Sequence, residues 1–305
     1  MAGERFTIRP MREQDKEGVI ELRRSYGQHM GIGALDTLMK CYPDGIYVAV
    51  DEDGQVHGSC AAIDLHPELA CVMLHSVRAE HQKSGLATRL WREAVERRLG
   101  GDRNAFLICG GFHVAMYHRR FGFEAVSAER IHYIRPGPAD TSSLPRSVDG
   151  VQLTLLPEQL SPEDHGATVS AVVDYDAAVF GFRREQFLRL VLAEKGNAIV
   201  VARCGDDSGA IVGYGVVSTD ISGRALLRIV YADEEAIAEG IVYHLLESFT
   251  PFHKKGLTGL LLAGAGEGRG IDHKMALETV PYVNILYRRE EPTTCDYRRQ
   301  FVVPV

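Results

Sequence analysis

Val77-Arg-Ala-Glu-His-Gln82-Lys-Ser-Gly85-Leu-Ala87, running straight into Thr88-Arg-Leu-Trp-Arg-Glu-Ala-Val-Glu-Arg-Arg-Leu99, carries the strongest structural signal in this chain. The apolar residues 71–77 before it read as a strand. After it, Leu86, Leu90, Ala94, Val95 and Leu99 recur at helical spacing. A strand that ends in a tight loop opening a helix leaves several backbone N–H groups unpaired and pointing one way. The helix dipole adds partial positive charge at the same place. Together they make a site suited to a pyrophosphate. Gly85 matters because a Cβ there would hold a phosphate off the backbone.

Two further segments stand in order around this one. Upstream, residues 6–9 read as a short strand ended by Pro10, and Asp15 is expected to cap a helix over 13–26. Downstream, residues 105–109 read as a buried strand and 113–121 as a helix, closed by Gly122, which tolerates a left-handed backbone. Gln82-Lys83-Ser84-Gly85-Leu86-Ala87 resembles motif A of the GNAT acetyltransferases, Gln/Arg-x-x-Gly-x-Gly/Ala, which holds the pyrophosphate of acetyl-CoA. Met116 to Phe123 resembles motif B, the Tyr-x-x-x-Gly-Phe end of that fold, with Tyr117 taken as its tyrosine.

The chain divides at residues 136–150, where three prolines stand among small and polar residues. The expected layout is a catalytic GNAT domain over 1–135, a linker over 136–150 and a degenerate GNAT-like domain over 151–305. Strands at 46–50, 56–65 and 70–78, with helices at 34–41 and 86–99, fill the first part. After the linker the grammar repeats: strand 151–155, a helix opened by Ser161 and Pro162, helix 183–194, strands 198–203, 210–218 and 225–231, helix 233–249, and late strands near 258–262, 283–287 and 301–303. The fold class expected is mixed α/β, with tandem GNAT-like lobes, each a mostly antiparallel twisted sheet flanked by helices. The second half resembles the YitH-type acetyltransferase domain through Val173-Asp-Tyr-Asp176, Phe180-Gly-Phe-Arg183, Ile211-Val-Gly-Tyr-Gly215 and Val280-Pro-Tyr282. Where its motif A should stand, the sequence has Asp233-Glu234-Glu235, three acids that repel a pyrophosphate but suit a bare helix N-terminus. The glycine-rich run 264–270 fails the G-x-G-x-x-G spacing and reads as a loop.

Composition narrows the class. At 305 residues, 45% hydrophobic and 25% charged, the chain has room for two ordinary globular domains. No apolar run reaches the length of about 18 residues that spans a bilayer, and the N-terminus lacks a signal-peptide pattern. A membrane is therefore not an expected partner, and a cytoplasmic location is expected. Net charge of −7 argues against nucleic acid. The six cysteines are scattered without a Cys-x-x-Cys pair, which suits free thiols and gives no metal.

The resemblance implies acetyl-CoA as co-substrate, held by Ser76, Val77, Gln82, Lys83, Ser84, Gly85, Leu86, Ala87 and Thr88. It implies Tyr117 as the acid that protonates the departing thiolate, with a backbone N–H near Val77 polarising the thioester. Strand alternation places Cys71, Met73, His75 and Val77 on one face, which makes His75 the expected base; His66, Glu68 and a water relay are the alternatives. The loop 27–33, with His29, and the second-lobe residues Asp174, Asp176, Tyr175 and Arg183 are the expected acceptor contacts. Three functions follow: N-acetylation of a small primary amine, acetylation of protein lysines or N-termini, and non-catalytic acyl-CoA sensing. The acceptor's identity, the acyl chain and homodimer formation stay open at this level.

Overall fold

A computed structural model of the chain describes residues 6–100, 103–156, 162–206, 208–264 and 270–302. The cap expected at Ser161 and the centre of the glycine-rich run, 265–269, lie outside them. No described helix is long and apolar enough to cross a membrane. The chain forms two compact units. Unit 1 takes residues 1–28, 34–126 and 285–291; unit 2 takes 29–33, 127–284 and 292–305. The units thus part near residue 126, ahead of the proline-rich stretch, because the strand after motif B pairs with unit 2 strands instead of ending its own domain.

Unit 1 is built on β1 (Thr7–Pro10), β2 (Ile46–Val50), β3 (Val56–His66), β4 (Leu69–Val77) and β5 (Asn104–Gly110). β1 to β4 pair antiparallel in order, and β5 joins β4 in parallel. Helices α1 (Lys16–Ser25) and α2 (Ala34–Cys41) come early. The motif A helix runs from α3 (Leu86–Trp91) through a π-turn at Arg92–Glu96 into α4 (Arg97–Leu99). α5 (Gly111–Phe121) follows β5 directly. One core lies under α3 and α5, with Ala70, Val72, Val77, Leu86, Leu90, Trp91, Leu107, Tyr117 and Phe123 buried together. Gly58 on β3 lets α3 lie close, since a Cβ there would meet Leu90 Cδ1 at 2.7 Å and Val77 Cγ1 at 2.9 Å. Asp15 does not cap α1; its carboxylate takes both Arg9 guanidinium donors (2.6 and 2.9 Å) and the Arg12 N–H (2.7 Å).

Unit 2 opens with β6 (Ala125–Gly137, from residue 127), then β7 (Val151–Leu155), α6 (Pro162–Phe180), α7 (Glu185–Leu192), β8 (Ala198–Cys204), β9 (Ile211–Thr219) and β10 (Ala225–Ala232). It continues with α8 (Glu235–Glu247), α9 (Thr250–Lys255), β11 (Leu257–Gly264), α10 (Ile271–Lys274), β12 (Thr279–Tyr287, shared with unit 1) and β13 (Gln300–Val302). Strand order from β6 is β6-β11-β13-β10-β9-β8-β7, with β10 and β11 also pairing in parallel. The repeated grammar is therefore a second set of paired strands with its own core around Ile237, Ile241, Leu245, Val200 and Leu227.

Candidate active site

β4 is where local rules break. Leu74 sits at φ +57°, a region that costs a non-glycine residue energy, and the β3 register slips between Ser59 and Ala61. This is a β-bulge, pinned by the buried Ser59 hydroxyl donating to the Leu74 carbonyl at 2.7 Å. An extra residue in a strand swaps every later side chain to the other face. Ala70 and Val72 face the α3 core before the bulge; His75 and Val77 face it afterwards. The expected shared face of Cys71, Met73, His75 and Val77 is corrected accordingly: Cys71 and Met73 point away from the side that His75 occupies. The buried Cys71 thiol, pushed up to about 12, offers no base in place of a carboxylate.

The bulge also parts the strands. β4 and β5 pair only over Leu69–Val72 and Asn104–Leu107, although β4 continues to Val77 and β5 to Gly110. Among the described residues, β4 from Met73 to Val77 therefore has no β5 partner, and its edge is open to an amide-bearing ligand. That edge leads into the loop. A 3-10 turn at Ala79–His81 follows, then Lys83 at φ +62° and Gly85 at φ +88°, immediately before α3. Apart from its immediate chain neighbours, no atom among the described residues lies within 4 Å of where a Gly85 Cβ would stand. The N–H groups of Ala87 and Thr88 belong to the first turn of α3, where the helix itself supplies no acceptor. The Ser84 hydroxyl accepts from Leu86 N–H at a long 3.3 Å while donating to the His81 carbonyl at 2.7 Å. Gln82 is exposed, and its amide donates to the Tyr26 hydroxyl (2.9 Å), which donates to the Val77 carbonyl (2.5 Å). Its part in the loop is to brace the strand end. The residues fit a pyrophosphate cradle with a free strand edge beside it.

His75 and Tyr117 do meet. The His75 Nε2 lies 3.1 Å from the Ala87 carbonyl, which can only accept, so Nε2 carries the proton. Nδ1 is then the acceptor for the Tyr117 hydroxyl at 3.2 Å. Trp91, Phe121 and Phe123 enclose the pair, with Trp91 stacked on Phe121 at 4.1 Å. Burial lowers the His75 pKa below 6.5, with the Ala87 hydrogen bond opposing and His113 adding to the shift. Burial likewise raises the Tyr117 phenol. The His75 lone pair on Nδ1 thus faces the Tyr117 hydroxyl inside an apolar enclosure.

A pH effect on stability follows. The folded His75 resists protonation more than the unfolded one, so its contribution is complete above about pH 6.5 and is lost as pH falls toward its lowered folded value. Thermal scans of wild type and His75→Gln between pH 5 and 8 are expected to show a shallower acid-side decline in the variant. Parallel declines would remove the assignment.

The motif B spacing needs a correction too. Four residues, not three, separate Tyr117 from Gly122, so the tyrosine position of Tyr-x-x-x-Gly-Phe belongs to His118. His118 is exposed on α5, with Nδ1 3.3 Å from the Phe123 carbonyl, whereas Tyr117 is 8% exposed. Counting back from Gly122 was the signal that could have found it.

The expected acceptor residues all lie in unit 2. Residues 29–33 belong to unit 2, bridged at Gly31 to Asp220 and bonded through Ile32 N–H to Thr219 and Met30 O to Ile221. His29 lies between Asp220 (Nδ1, 3.0 Å) and the Tyr133 hydroxyl on Nε2. Asp176 is 1% exposed and holds Arg184 through two bonds of 2.9 and 2.7 Å, while Tyr214 donates to it at 2.7 Å. A carboxylate so placed is core structure, and the expected acceptor contact is corrected. Asp174 is exposed and pairs with Arg183 at 2.5 Å. In unit 2 the place equivalent to the phosphate loop is filled: Asp233 takes Arg299 and the Tyr175 hydroxyl (2.9 Å), and Glu235 takes the Gly270 N–H (2.7 Å).

Residues 172–251 match a family model described as an acetyltransferase (GNAT) domain. No curated protein sequence matches. Among solved structures, a putative acetyltransferase from Pyrococcus horikoshii is similar at TM-score 0.69 and 15% identity, over 99% of this chain and 95% of that one. The fold is that of the tandem GNAT proteins. A tandem GNAT protein of the clavulanic acid pathway aligns at TM-score 0.61 and 16% identity, over 94% of this chain and all of that one. A GCN5-related N-acetyltransferase from Sphaerobacter thermophilus aligns at TM-score 0.57 and 15% identity, over 96% and 99%. The family match falls on the GNAT unit whose helix start is acidic, whereas the glycine loop and open strand edge belong to the other unit.

Proposed function

We propose that unit 1 binds acetyl-CoA and transfers its acetyl group to the primary amine of a small molecule by direct attack on the thioester. The observation that carries this reading is the continuous run from the unpaired β4 edge, Met73 to Val77, into the positive-φ loop before α3. Acetyl-CoA supplies the activated acyl group; the chain supplies backbone. Lys83 to Thr88 hold the pyrophosphate with N–H groups, and Ser76 and Val77 offer strand hydrogen bonds to the pantetheine amides. A preorganised N–H on this edge also serves the developing oxyanion.

The attacking amine gives up its proton to solvent water as the C–N bond forms and the C–S bond breaks. The departing thiolate takes a proton from α5, where Tyr117 and His118 are neighbours. The His118 side chain is exposed and stands at the motif position; the Tyr117 hydroxyl is spent on His75. We assign His118 the proton and Tyr117 a positioning role. Thiol release from acetyl-CoA across small amines and histone-like peptides tests both the acceptor class and the donor. His118→Gln is expected to lower kcat by about 100-fold, the lower end of general acid contributions, and Tyr117→Phe by less than about tenfold. A reversed order returns the acid role to Tyr117. Turnover restricted to peptides would replace the small-amine acceptor, and acetyl-CoA binding without turnover on any acceptor would favour the sensor.

A further inference from the structure

We propose that His57, His81 and Glu80 form a binding site for a zinc-type divalent cation, with Asp51 holding His57 in its ligating tautomer. One ligand atom from each of the three residues lies within 4.8 Å of the others. His57 stands near the start of β3, and Glu80 and His81 stand on the 3-10 turn between β4 and the phosphate loop. The His57 Nδ1 and the His81 Nε2 face each other at 3.0 Å. Two nitrogens bound tetrahedrally to one zinc sit about 3.3 Å apart for bonds of about 2.05 Å, so a small spreading of the rings admits the ion.

The tautomer is already set. His57 Nε2 lies 2.8 Å from Asp51 Oδ2, and a carboxylate there requires Nε2–H, which leaves the Nδ1 lone pair for a metal. Asp51 is itself held in the β2–β3 turn, its other oxygen accepting from the Gln55 N–H (2.8 Å) and the Asp53 N–H (3.1 Å). A carboxylate–histidine pair braced in this way is the usual support for a zinc-binding imidazole. Phe6 packs on both rings, with centroids at 4.9 Å from His57 and 4.8 Å from His81, and restricts their rotation. Without metal, His81 Nε2–H donates to His57 Nδ1. With metal, His81 carries its proton on Nδ1, both lone pairs converge, and the exposed Glu80 closes the third side. Two neutral imidazoles and one carboxylate leave a fourth position for water. The ion would tie β3 to the turn that leads into the loop.

The test uses full-length protein stripped with chelator and titrated with zinc chloride by calorimetry, with circular dichroism to monitor folding. Wild type is expected to take up one zinc per chain. His81→Ala and Glu80→Gln are expected to weaken binding by at least about 100-fold and tenfold, and Asp51→Asn by about 10–100-fold. Glu80 is exposed and its change costs the core nothing, so a folding failure at His81 leaves the test intact. Cobalt substitution is expected to give the intense visible bands of a tetrahedral site, absent in Glu80→Gln. No zinc uptake by wild type, or equal affinity in folded Glu80→Gln and Asp51→Asn, overturns the proposal and leaves the histidines as a hydrogen-bonded pair.

Discussion

Asp176→Ala is expected to lower the folding stability of unit 2 by about 3–5 kcal/mol, the cost of stranding a buried cation. Arg184 is 6% exposed, gives Asp176 two of its donors, gives Tyr231 a third at 3.2 Å, and lies over the Phe180 ring at 4.0 Å. Removing the carboxylate leaves the guanidinium with one weak neutral acceptor and frees the Tyr214 hydroxyl in the core. The measurement is urea unfolding followed by circular dichroism. A double variant, Asp176→Leu with Arg184→Met, is expected to recover much of the loss, because an apolar pair of similar volume needs no partner. A single variant within about 1 kcal/mol of wild type would show that water or a neighbour replaces the carboxylate. It would also restore Asp176 as a surface for an acceptor.

Gly85→Asp is expected to weaken acetyl-CoA binding by about 100-fold, about 2.7 kcal/mol. Two effects add. A side chain at φ +88° costs about 1–2 kcal/mol, and a carboxylate beside a pyrophosphate adds about 1 kcal/mol or more at 4 Å. Three variants separate them by calorimetric titration with acetyl-CoA. Gly85→Ala carries the strain without the charge and is expected to lose up to about tenfold, with part of the cost appearing as lower Tm instead. Gly85→Asn has the shape of aspartate and tolerates the left-handed region, so it is expected to bind within a few-fold of wild type. Should asparagine weaken binding as much as aspartate, the space beside Gly85 is needed for the ligand itself and charge is secondary. If all three bind like wild type, the pyrophosphate does not sit on this loop. The same charge logic holds in unit 2, where Asp233 and Glu235 occupy a helix start and are already paired with Arg299 and the Gly270 N–H.

Much of the scaffold was legible from residue order. The helix over Ala34–Cys41 and the strands over Ile46–Val50 and Val151–Leu155 agree with the expected bounds to the residue, since each is a run of one period ended by turn chemistry. The helices α9 and α10 were not anticipated, because four to six residues are too few to establish a helical period. The candidate site was legible in part. Gly85 was recognisable because a single residue type serves its backbone. The 3.2 Å approach of His75 and Tyr117 was not legible, because it depends on the Ala87 carbonyl and on enclosure by Trp91 and Phe121. Asp176 looked like a polar residue available to a ligand; only its neighbours Arg184 and Tyr214, 8 and 38 positions away, turn it into core.

The sequence alone determined the features whose causes are local: periodic helices and strands, a glycine before α3, an acidic helix start in the second half, and the order of elements that resembles two GNAT lobes. Tertiary structure decided whatever depends on partners distant in the chain. Ser59 holds the Leu74 bulge, and that one inserted residue sends His75 and Val77 to the face their alternation denied them. Pairing with β9-side residues draws 29–33 into unit 2, and pairing with β11 does the same for β6. The fold of β3 against the turn after β4 brings His57 within 3.0 Å of His81 across 24 residues. Periodicity records which face a residue shows to its own strand or helix; it carries no record of what the rest of the chain presents to that face.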